Sequence, residues 1–114
     1  MKRKTIEDYV ELIYNIQKKQ GKVHTNDIAK ELDIKPSSVT EVLQKLGEEG
    51  YINYKKYSGV TLTTEGKRLA IKTKDKHEIL KDFLNSLGVK ENIAEEDACE
   101  MEHILHPQTM NVII

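Results

Sequence analysis

The stretch KPSSVTEVLQKLGEEGYINY at residues 35–54, followed by VTLT at 60–63, contains a change of period that decides the fold. Val39, Val42, Leu43 and Leu46 recur at spacings of three, one and three, the apolar stripe of an α-helix. Pro36 suits a first helical turn, Ser38 with Glu41 has the form of a capping box, and Gly50 ends the segment. From Tyr51 the pattern becomes extended: residues 51–54 and 60–63 are β-favouring runs joined by a loop that contains Ser58 and Gly59. A helix followed by a hairpin is predicted.

Upstream, Ile6, Tyr9, Val10, Ile13 and Ile16 form the stripe of a first helix, with Thr5 as its expected N-cap and Gly21 as its stop. Thr25, Asn26 and Asp27 open a second, with Ile28, Ala29 and Leu32 inward, before residues 33–35 turn the chain. Three helices and a hairpin in this order are the layout of a winged helix-turn-helix, whose third helix enters the major groove of duplex DNA. Downstream, Thr63 or Thr64 caps a long helix reaching about Leu87, through Leu69, Thr73, His77, Leu80 and Leu84, and Gly88 closes it. Residues 91–105 read as one more helix, which Pro107 prevents from continuing. The expected fold is mainly α, with a DNA-binding domain at 1–63 and a helical region at 64–114.

Composition fits a globular protein: 114 residues, 38% hydrophobic and 32% charged. No apolar run approaches the roughly 18 residues of a membrane span, and lysine and glutamate interrupt the N-terminus where a secretion signal would be apolar, so a cytoplasmic protein is expected. The net charge of −1 hides a split. Residues 1–90 hold all 18 Lys and Arg against 13 acidic residues, whereas residues 91–114 hold six acidic residues and no Lys or Arg. A basic front and an acidic tail suggest phosphate contact in one part and cation binding in the other; the plainer alternative is a solvated acidic tail.

Opposite its apolar stripe the third helix offers Ser37, Ser38, Thr40, Glu41, Gln44 and Lys45, polar groups placed where a reading helix meets base edges. Lys35, Lys55, Lys56 and Tyr57 are candidates for backbone contact. Taken singly, each serine or threonine is equally a cap or a solvated surface group. The low aromatic content, 5%, argues against stacked single strands and for duplex DNA.

Cys99, Glu102 and His103 stand at i, i+3 and i+4, so a helix would place thiolate, carboxylate and imidazole on one face, three ligand types that first-row metals accept together. Asp8 and Glu11 stand at i and i+3 on the first helix and face one direction. His77 lies core-side on the long helix, as a buried structural histidine or as a ligand. A helix carrying only a buried cysteine and a surface Glu-His pair would show the same C-x-x-E-H spacing. His24 and His106 read as surface.

These segments carry a family resemblance. TIEDYVE-x-IY at 5–14, KPSSVT at 35–40, LTTEG at 62–66, KHEIL at 76–80 and C-x-MEHIL at 99–105 resemble the diphtheria toxin repressor family, and most nearly its manganese transport regulator branch. The resemblance runs through nearly the whole chain. It implies a homodimer that represses metal-uptake genes, binding a palindromic operator when Mn(II) or Fe(II) is bound, with no organic substrate and no membrane. Carried over by residue, a binuclear manganese-type site would fall on Asp8, Glu11, His77, Glu102 and His103, with Cys99 in the sixth position. Manganese-type members carry Glu there and iron-type members carry Cys, while iron-type members lack the carboxylates of Asp8 and Glu11. The chain is thus a hybrid. Lys81 stands where the iron-type ancillary site has an acidic ligand, which argues against that second site here. An ion held by ligands from both halves of the chain would fix the angle of the DNA-binding part.

Two alternatives remain on sequence. A metal-dependent enzyme lacks a separate general acid or base among these residues. A winged-helix regulator without metal dependence, redox-responsive through Cys99, would need a low-pKa thiol, which six neighbouring acidic residues oppose.

Overall fold

The computed structural model describes residues 1–55 and 58–114. Its elements run α1 (Arg3–Gln20), α2 (Thr25–Leu32), α3 (Pro36–Glu48), β1 (Ile52–Lys55), β2 (Gly59–Leu62), α4 (Thr64–Ser86), α5 (Glu91–Met101) and α6 (Pro107–Ile113). The chain divides into two compact units, Met1–Ala70 and Ile71–Ile114.

In the first unit the apolar stripes of α1, α2 and α3 converge. Ile13, Ile28, Val39, Leu43 and Leu46 are fully buried, with Tyr9, Ile16, Ile52 and Val60 beside them. Each such side chain contributes about 1.5–3 kcal/mol on burial, against about 1 kcal/mol for a side-chain cap. The stripes therefore place the helices, and two expected caps prove unnecessary. The N-cap of α1 is Lys2 and that of α3 is Lys35, neither with a side-chain cap. Thr5 and Ser38 lie one turn inside. Proline at the first position of α3 needs no amide partner, so the helix begins there.

The hairpin pairs antiparallel, Ile52 with Leu62 and Lys55 with Gly59, one residue out of step with the expected runs at each strand. A third segment joins it: the Val60 amide donates to the Val23 carbonyl at 2.8 Å. Gly59 has φ +93°, and a Cβ there would lie 3.1 Å from that same carbonyl oxygen, so the close approach favours glycine. Thr63 is the true cap of α4. Its hydroxyl accepts from the Gly66 amide at 3.1 Å and donates to the Gly50 carbonyl at 2.7 Å. A Cβ on Gly66 would overlap the Tyr51 carbonyl. This contact keeps the first turns of α4 with the first unit, so the compact division falls inside α4 and not at its start.

The second unit has a smaller core of Leu80, Ala98 and Met110, flanked by Ile79, Met101, Leu105 and Ile113. Leu87, expected on the inner stripe of α4, is 67% exposed, because the helix ends at Ser86. Gly88 at φ +98° turns the chain, and the Val89 amide donates back to the Leu84 carbonyl at 3.1 Å.

The helix expected over 91–105 ends at Met101. Amides of His103 and Ile104 donate three residues back, to Glu100 and Met101, a tightened last turn. Pro107 does more than end it, since it opens α6 at the first helical position. The C-terminal apolar residues are divided: Met110 is buried, while Val112 and Ile114 are exposed. Among the described residues no helix is long and apolar enough to cross a membrane.

Candidate metal centre and nucleic-acid interface

Within the first unit, burying Val39, Leu43 and Leu46 turns the opposite side of α3 outward. Lys35, Ser37, Ser38, Glu41, Gln44 and Lys45 are all exposed. Thr40 is half-buried, and its hydroxyl donates to the Pro36 carbonyl four residues back at 3.0 Å. Beside this face lies a cleft of about 310 Å³ lined by His24, Thr25, Asn26, Thr40, Tyr54, Lys55 and Gly59. His24, read as surface, is exposed, and its backbone amide donates to Asp27 Oδ2 at 2.9 Å. Lys56 and Tyr57 fall outside the described residues.

In the second unit His77 from α4 meets the C-terminal part of α5. One ligand atom each from His77, Cys99 and Glu102 lie within 4.8 Å of one another. Metal–ligand bonds of about 2.0–2.3 Å set donor atoms roughly 3.5 Å apart, so small side-chain movements bring the three onto one ion. His77 and Glu102 are buried, and Cys99 is exposed. His77 Nδ1 is 2.8 Å from Glu102 Oε2, and the other oxygen of Glu102 is 3.3 Å from His103 Nε2. His103 is thus linked through Glu102 and is not a member of the convergent trio, although it too is buried.

Sequence reasoning missed Glu95. Its Oε1 is 2.9 Å from His77 Nε2 and its Oε2 is 3.4 Å from Lys81 Nζ. Glu95, Cys99 and Glu102 stand at i, i+4 and i+7, so spacing could have found it. Lys81 also reaches Glu91 at 2.7 Å.

The electrostatics follow from this chain of contacts. Burial alone would depress the His77 pKa, but the hydrogen bond to Glu95 and the charges of Glu102 and Glu95 outweigh it and raise the value. Glu95 is lowered, first by its hydrogen bond to His77 and then by Lys81. The Glu91 hydrogen bond raises Lys81, and Glu91 is lowered in return.

Asp8 and Glu11 lie in the first unit, half-buried on α1, and each already takes part in a polar interaction. Their neighbour Glu7, not singled out on sequence, is the more buried, with Arg3 Nε at 4.0 Å. His106 is exposed and is the N-cap of α6.

Residues 1–60 match the model of the iron dependent repressor N-terminal DNA binding domain, and residues 63–114 that of the iron dependent repressor metal binding and dimerisation domain. Among curated relatives, an HTH-type transcriptional regulator of Methanocaldococcus jannaschii is 44% identical over 108 residues, covering 93% of this chain and 86% of its own length. The HTH-type transcriptional regulator MntR of Bacillus subtilis is 40% identical over 101 residues, covering 89% of this chain and 71% of its own length. A manganese-dependent transcriptional repressor solved in complex with manganese superposes with a TM-score of 0.83 at 31% identity, over 95% of this chain. The chain spans about half the length of that repressor, 50%. A hypothetical protein of Sulfolobus solfataricus gives a TM-score of 0.78 at 25% identity, covering 99% of this chain and 86% of its own. The chain therefore belongs to the iron-dependent, or diphtheria toxin, repressor family of metal-dependent transcriptional repressors, in its manganese-regulator branch, and is a regulator and not an enzyme.

Proposed function

We propose that this chain represses transcription from an operator in duplex DNA, as a homodimer in the cytoplasm, when Mn(II) or Fe(II) occupies a site built on His77, Cys99 and Glu102. The observation that carries the reading is the convergence of imidazole, thiol and carboxylate within 4.8 Å, two of them buried. Buried ionisable groups held together are costly unless a cation or proton compensates them, and this donor set suits a first-row divalent metal. His103, joined through Glu102, and Asp8 and Glu11, on the residue-by-residue resemblance, are proposed as further ligands. Glu102 would hold the ion together with His77, with His103 beside it.

The DNA contacts are assigned to the exposed face of α3: Ser37, Ser38, Thr40, Glu41, Gln44 and Lys45, with Lys35 at its start. Lys56 and Tyr57 are proposed for backbone contact from the sequence alone.

The test is a gel-shift assay on operator DNA with and without metal. His77→Ala and Glu102→Ala should each abolish the metal response, and full retention of it would sink the proposal. Exposure of Cys99 favours one second reading, a thiol-based redox regulator. Metal protects a coordinated thiolate from alkylation, whereas a redox thiol alkylates equally with and without metal.

A further inference from the structure

Each ring nitrogen of His77 has its own carboxylate: Glu102 on Nδ1 at 2.8 Å and Glu95 on Nε2 at 2.9 Å. The two nitrogens of an imidazole point apart, so one ion can be held by only one of them. Nδ1 shares its side with Glu102, a member of the convergent trio. Glu95, by contrast, has both oxygens engaged, Oε1 by His77 and Oε2 by Lys81 at 3.4 Å.

We propose that Glu95, anchored by Lys81, is a positioning residue that keeps the His77 proton on Nε2 and so presents a bare Nδ1 to the metal. The inference rests on His77 being a ligand. A neutral imidazole carries one N–H, and the coordinating nitrogen must be without it. A carboxylate accepting that hydrogen fixes both the tautomer and the plane of the ring, and makes the other nitrogen more basic toward the metal. Lys81 has a distinct part in this. The Glu95 side chain is 52% exposed, and one hydrogen bond would leave it several rotamers. The second contact, from a lysine itself tied to Glu91 at 2.7 Å, holds the carboxylate against the ring and neutralises it, so that Glu95 does not become a competing ligand.

The full chain is titrated with Co(II) and Mn(II), comparing Glu95→Ala, Glu95→Gln, Lys81→Met and His77→Ala. Glu95→Ala should weaken binding roughly ten- to a hundredfold, the range seen when such an orienting partner is lost. Glu95→Gln, whose amide carbonyl still accepts the Nε2 hydrogen, should recover most of the affinity, and Lys81→Met should lose only a few fold. Nitrogen-15 NMR of the Zn(II)-loaded chain supplies a readout that a merely structural role would not move. The His77 ring should be a single Nε2–H tautomer in the parent and in Glu95→Gln, and a mixture in Glu95→Ala.

Affinity of Glu95→Ala within about twofold of the parent, or metal found on Nε2, overturns the proposal. Loss of binding in His77→Ala with no effect in Glu95→Ala overturns this inference alone. Unchanged binding in His77→Ala removes the ligand assignment beneath it as well. Circular dichroism of the metal-free variants should match the parent, since Glu95 is outside both cores.

Discussion

Glu102 presents one carboxylate oxygen to His77 at 2.8 Å and the other to His103 at 3.3 Å, with 2% of its side chain exposed. A carboxylate this sheltered is stabilised by the His77 imidazole when that ring carries a proton, or by a metal ion in its place. Under the proposed metal site, the second unit has two ways of balancing the same charge.

Replacing Glu102 by Gln keeps the shape and a hydrogen bond but removes the charge. The metal-free chain should stay folded, while Mn(II) affinity falls by at least about tenfold. Replacing it by Ala leaves His77 buried beside a gap and should cost roughly 3 kcal/mol. Urea unfolding of the two metal-free variants separates the effects.

Because the His77 pKa is raised in the folded chain, the direction of two pH effects is determined. Its contribution to stability is fully present below the unfolded value of about 6.5 and is lost as pH rises through the higher folded value. The metal-free Tm should therefore fall as pH rises above about 6.5, and less so in Glu102→Gln. On the proposed ligation by His77, metal displaces this proton, so binding should tighten with rising pH and release protons from His77. Calorimetry in buffers of different ionisation enthalpy counts them.

On the proposed ligand set, Cys99 would set metal preference. Cys99→Ser should remove the thiolate-to-Co(II) absorption band and weaken Co(II) and Zn(II) more than Mn(II), because the soft ligand favours the former pair. An unchanged Co(II) spectrum would show that the thiol is not coordinated.

The same substitution at two glycines should have opposite signs. Gly66→Ala drives a Cβ into the Tyr51 carbonyl and should cost about 3 kcal/mol. Gly47→Ala, whose nearest heavy atoms would be 4.0 Å away within α3, should stabilise by roughly 0.5–1 kcal/mol. Thermal unfolding of both variants tests this.

On the DNA side, Lys45→Ala should weaken operator and non-operator duplexes alike and lower the salt slope by about 1. Gln44→Ala should cost about 1–3 kcal/mol on the operator alone. Fluorescence anisotropy at several salt concentrations distinguishes a phosphate contact from a base contact.

Sequence by itself determined the element order, the apolar stripes of α1 to α3 and the exposed face of α3. The reason is that period and burial coincide wherever helices are long and amphipathic: Val39, Leu43 and Leu46 could face only one way. It also placed His77, Cys99 and Glu102 in one candidate set by residue type. Only tertiary structure decided the rest. The end of α5 at Met101 depends on hydrogen bonds of a tightened turn that no periodicity reports. The Val23 bridge to Val60 and the glycine required at 66 arise from backbone meeting backbone across the sequence. Glu95 lay hidden among six acidic residues because every one of them fits a solvated acidic face. Its meaning came from Lys81 and His77, more than a dozen residues upstream, brought to its two oxygens by the packing of α4 on α5.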